Sequence, residues 1–146
     1  MSLKRLNDFE SQIVSALLNG TDPVLEGLRA QFTGALVSRR EFSGVGVFTY
    51  FSLKSPVQTV EPENFVLDDV HLDVFGTDNG ASAMLFVRHG VVDFLEVVAV
   101  TGDWPKEARL GRIWYLRRGA WTESHTTLEP SDTRDLEVPR MAWSEH

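Results

Sequence analysis

Two places in this chain combine side-chain types and spacings that could do chemistry: Asp69-Val70-His71-Leu72-Asp73, and Glu96. On a strand, alternate residues share a face, so Asp69, His71 and Asp73 would project together with successive Cα atoms about 6.6 Å apart. Imidazole and carboxylate both suit zinc, manganese or iron. A metal site would need a further ligand, and the other histidines are His89, His125 and His146. An exposed polar strand face produces the same pattern routinely. No metal and no cofactor is therefore expected, and the three residues stand as a polar binding patch.

Glu96 raises different chemistry. Counting by twos places it with Val92, Phe94, Val98 and Val100, the most apolar face in the chain. A carboxylate there loses hydration, its pKa rises, and it needs a partner such as Arg40 or Tyr50. Carboxylates of that kind serve as general acids or ligand anchors. Two structural alternatives are a bulge after Leu95 that turns Glu96 outward and a plain ion pair.

Other motifs add little. There is no G-x-S-x-G elbow and no Ser-His-Asp order that spacing recommends. Gly44-Val45-Gly46 runs into a strand, whereas phosphate-binding glycines open a helix. Arg39-Arg40 and Arg117-Arg118 could hold an anion, although short basic pairs usually end strands in solvent. With no cysteine, thiolate chemistry, disulfides and cysteine-based zinc sites are excluded.

The elements that must position these residues centre on Ser82 to Val100. Two apolar strands joined by His89-Gly90 read as a tight hairpin. The expected register pairs Val87 with Val92 and Leu85 with Phe94, leaving Met84, Phe86, Leu95 and Val97 on the second face. Residues 3–18 have helical apolar spacing, with Glu10 on the polar side, and end at Asn19-Gly20. Asp22-Pro23 caps and starts a second helix that runs to Gly34. Strands are expected over 35–42, 45–53, 65–75 and 109–118, with a loop at 54–64 and a rigid corner at Gly102-Asp103-Trp104-Pro105. On 65–75, Val66, Val70, Leu72 and Val74 should face in, and Asp69, His71 and Asp73 out.

The pieces Arg40-Glu41-Phe42-Ser43-Gly44-Val45-Gly46-Val47-Phe48, Leu85-Phe86-Val87, and Leu95-Glu96 to Gly102-Asp103-Trp104-Pro105 resemble segments of small uncharacterised bacterial single-domain proteins. The resemblance spans roughly residues 24–105. It implies a bacterial, self-contained domain and brings no activity or cofactor with it.

Charge bounds the partners. The 146 residues carry a formal net charge of -7, which disfavours nucleic acid and acidic membranes. Between Glu61 and Asp103 there are nine acids and one base, Arg88. A basic protein is the partner such a field would favour, and an apolar second sheet face suggests a homodimer. No apolar run reaches the length of a membrane span and the N-terminus lacks a secretion pattern, so a cytoplasmic setting is expected.

The expected fold is α+β, with an N-terminal helix hairpin packed on a mainly antiparallel sheet of five to six strands. Residues 1–121 form the domain, and 122–146 form a polar arm, docked or disordered. The leading functional expectation is a non-catalytic binding or interaction domain. The alternative is a small-molecule-binding or hydrolytic domain with a pocket around Glu96.

Overall fold

The computed structural model describes residues 2–121 and 126–138. Helix α1 spans Asp8–Leu17 and α2 spans Pro23–Gln31. The strands are β1 Leu36–Phe42, β2 Gly46–Ser52, β3 Phe65–Phe75, β4 Ala81–Arg88, β5 Val91–Ala99, β6 Arg109–Trp121 and β7 Thr126–Ser131. They form one sheet of seven strands in the order β1-β2-β5-β4-β3-β6-β7, every neighbouring pair antiparallel. The class is α+β as expected, with a strand more than the upper expectation. The addition is β7, in the polar stretch where no period was visible; its pairing with β6 comes from backbone hydrogen bonds, which polar residues make equally well. His125, Trp143 and His146 lie outside the described residues.

Helix α1 starts later than its apolar period suggested. Asn7 is the N-cap, and its side chain and that of Glu10 close a reciprocal capping box, which ends the helix at that point. The residues before it run along the sheet edge instead, where Lys4 exchanges backbone hydrogen bonds with Val37. Asp22 accepts from the Val24 amide and Pro23 occupies the first turn of α2, as expected.

Both helices lie on one face of the sheet, α1 against β3, β4 and β6, and α2 against β5. The core forms between them. Ile13, Leu17, Leu25 and Leu28 from the helices meet Leu67, Val70, Leu72, Ala83, Leu85, Val87, Leu95 and Val97 from the strands. Buried Gln31 stitches the loop before β3 to the central hairpin. Its amide donates to the Gly90 and Gln58 carbonyls at 2.9 and 3.0 Å, and its oxygen accepts from Val92 at 2.9 Å.

Bulges decide which residues face this core. His89 and Gly90 both adopt positive φ, as a two-residue hairpin turn requires. Val87 pairs with Val92 as foreseen, but the ladder then shifts so that Phe86 meets Phe94 and Leu85 meets Leu95. Asp93 is the extra residue. A single insertion reverses every side chain beyond it. Leu95 and Val97 therefore enter the core, while Phe94 and Glu96 turn to the opposite face, correcting the expected pairing of Leu85 with Phe94. A second shift lies between Leu67 and Val70, where Asp68 and Asp69 together oppose Met84.

Candidate functional site

The helix-free face of the sheet carries a row of rings. Phe48 and Tyr50 on β2 are followed by Phe94 on β5 and Phe86 on β4, because these residues share a face and sit in register. Phe86 stacks on Phe94 at 4.4 Å between centroids, Tyr50 meets Phe94 at 5.4 Å and Phe48 meets it at 6.0 Å. The Arg39 guanidinium lies 4.2 Å from the Tyr50 ring at one end, and Arg88 lies 5.6 Å from the Phe94 ring at the other. All four rings are half-buried by one another.

Glu96 sits inside this row, opposite Phe48 on one side and Met84 on the other. Its carboxyl is pushed above the ordinary carboxylate range by partial burial. It has no ion pair or hydrogen bond among the described residues. The expected loss of hydration is thus present, but on the sheet face away from the helices and not in a pocket beneath them. The bulge that turns it outward falls at Asp93, upstream of the expected position after Leu95. Tyr50 shares its face and is bridged to it by the Phe94 neighbour. Arg40 does not reach it, because Arg40 lies on the helix side.

Asp69, His71 and Asp73 do not form one patch. The bulge at Asp68-Asp69 turns Asp69 into the protein, where it is fully buried and paired with Arg134 at 2.8 and 2.9 Å. Arg134 also donates to the Asn19 carbonyl at 2.8 Å, at the end of α1, and lies over the Tyr115 ring. His71 stays on the open face, stacked on Trp114 at 5.6 Å, and Asp73 is exposed beside it. Among the described residues, no group of three potential ligands gathers to hold a metal.

On the open face most cations are spoken for, the exception among the described residues being Arg109, which sits across from exposed Phe75 and makes no ion pair. Arg39 pairs with Glu41, Arg88 with Asp93, and Arg112 with Asp132. Among the described residues the carboxylates left over are Glu96, Asp68 and Asp73. Asp68 is also raised, first by partial burial and then by the neighbouring Asp69 charge.

A separate pocket of about 180 Å³ opens on the helix side, between the start of α1, the β1–β2 edge and the corner at Trp104. Its floor is an ion pair: Arg40 Nε and Nη2 donate to Glu10 at 2.7 and 2.8 Å, and Thr49 donates to the same carboxylate at 3.2 Å. Burial pushes the Glu10 carboxyl up, but the hydrogen bonds from Arg40, the Asn7 amide and Thr49, with the Arg40 charge, hold it below its usual value. Its bonds to Glu10 raise Arg40 in turn. Phe9, Phe42, Trp104 and Val47 form the apolar walls. Glu10 belongs to the buried side of the sheet and not to the polar side of a longer helix; the signal that could have found it is Asn7-x-x-Glu10, a capping box that holds a carboxylate beside the cap. Arg134 carried no such signal. No family model, curated protein or solved structure matches the chain.

Proposed function

We propose that the chain is a non-catalytic interaction domain that receives a basic protein segment on the open face of its sheet. The observation that supports this best is Glu96, an unpartnered carboxylate with a raised pKa set among Phe48, Phe94 and Met84. Holding a charge there is unfavourable unless a cation arrives. A lysine or arginine from a partner would pair with Glu96 while its stem covers the rings, combining a charge-assisted bond with cation–π contact worth about 1–3 kcal/mol together. Aromatic and arginine side chains in one patch are also what interface centres are made of. A single exposed ring would need no such account, but a contiguous row does.

A second copy of this chain is the competing occupant. It would bring the same three spare carboxylates against a single spare cation from this face among the described residues, Arg109, so the excess of negative charge favours a basic partner over a homodimer. A cytoplasmic setting belongs to the same proposal. The test is NMR titration of the full chain with a short peptide alternating lysine and valine, against the same peptide with glutamate for lysine. Shifts centred on Phe48, Phe86, Phe94 and Glu96, absent with the acidic peptide and lost in Glu96→Gln, are expected. Shifts confined to the outer edges of β1 or β7, or none at millimolar peptide, would overturn the reading.

A further inference from the structure

We infer that the pocket between α1 and the β1–β2 edge binds a small carboxylic acid with an apolar body. This site lies on the other side of the sheet from the proposed interface and stands independently of it. Its size suits one ring or a short branched chain: cavities of about 150 Å³ accept benzene, and this one measures about 180 Å³.

Its charge selects an anion. Glu10 is 4% exposed and its oxygens are taken up by Arg40, Thr49 and the Asn7 amide. Arg40 uses Nε and Nη2 on that carboxylate, with Nη2 also 3.5 Å from the Arg5 carbonyl, which leaves Nη1 without a partner among the described residues. Lys106 lines the same pocket and makes no salt bridge among the described residues. The lining therefore carries one acid, already neutralised, and two bases, in a protein whose net charge is -7. The local excess is positive against the sign of the whole chain. A carboxylate between Arg40 Nη1 and Lys106 Nζ would satisfy both, near the start of α1 where the helix dipole also favours negative charge.

The walls select the rest of the ligand. Phe42 is 71% exposed, the most exposed large apolar side chain among the described residues, and it stands at this pocket. Phe9 and Trp104 meet edge to face at 6.1 Å opposite. An apolar body seated between Phe42 and Trp104 would cover the former without moving the latter.

Phenylacetate is the probe, with phenethylamine and benzyl alcohol matching its ring but not its charge. Calorimetric titration of the full chain should register phenylacetate at millimolar concentration or below and neither control. Lys106→Gln should weaken it about fivefold, and Phe42→Ala should weaken it too; both side chains are exposed, so melting curves should confirm that the variants fold. Trp104→Phe should remove any fluorescence change that accompanies binding. No heat with phenylacetate, equal binding of the amine, or binding indifferent to both Lys106→Gln and Phe42→Ala would overturn the inference.

Discussion

Glu96 and Glu10 show how differently two carboxylates of one protein can be used. Glu10 is depressed below its ordinary value, so it contributes stability above its unfolded pKa that is lost as pH falls through the folded one. Glu96 is raised, which reverses the sign: the folded state holds its proton more tightly, and stability is lost as pH rises from the unfolded value through the folded value. Glu96→Gln should therefore melt higher than the parent at pH 8, and the difference should shrink toward pH 4 as the carboxyl takes up its proton. Solvent screening of a half-buried group keeps the gain below about 1 kcal/mol. Thermal melts at the two pH values measure it. A variant that gains stability while losing the basic peptide is the pattern expected of a residue kept for binding. Equal or lower stability at pH 8 would show that partial burial does not strain this carboxylate.

At the scale of the element, bulges do the work that the alternation of residues along β3 and β5 does not reveal. In β3 the extra residue at Asp68-Asp69 sends Asp69 inward to Arg134, whose side chain is 6% exposed against 0% for Asp69. Through Arg134 the segment after β7 is tied to the end of α1. Breaking such a buried pair leaves a charge stranded, so Asp69→Asn should cost about 3–5 kcal/mol in urea denaturation. Adding Arg134→Met should recover part of that loss, since no unpaired charge then remains inside. Deleting Asp68 is the sharper test. It restores strict alternation between Leu67 and Val70 without disturbing the pairs on either side, and turns Asp69 to the open face. Its cost should be similar to that of Asp69→Asn, and a deletion that leaves stability unchanged would mean that the bulge is incidental.

For the whole molecule, charge separates the two ways in which the open face could be covered. Contact with a basic partner draws on Glu96, Asp68 and Asp73 and should weaken as ionic strength rises from about 50 to about 500 mM, over which the screening length falls severalfold. Association between copies of this chain brings like charges together and should strengthen with the same salt, and on acidification as these carboxylates take up protons. Light scattering at both salt concentrations, at pH 5 and pH 8, reads the sign directly. Growth in mass with salt and acid would favour the homodimer, and a mass that responds to neither would leave the basic-partner reading to the peptide titration.

Local patterns carried much of the fold. The amphipathic stripes of α1 and α2, the cap at Asp22, the apolar runs of β2 to β5 and the His89-Gly90 turn all depend on near neighbours, and each is present; α1 ends short of Gly20, with Leu18 as its C-cap. The raised state of Glu96 was expected from the apolar Val92, Phe94, Val98 and Val100 counted onto its face, and on the face it actually occupies Phe48, Phe94 and Met84 bring it about instead. The face it occupies was not legible. A bulge inserts one residue through backbone geometry shared with the neighbouring strand, so strict counting by twos put Phe94 and Asp69 on the wrong sides. The pairing of Arg40 with Glu10 and of Arg134 with Asp69, and the strand β7, likewise join residues far apart in the chain. Such contacts are decided by how helices and strands come to rest on one another, which tertiary packing determines and local sequence does not encode.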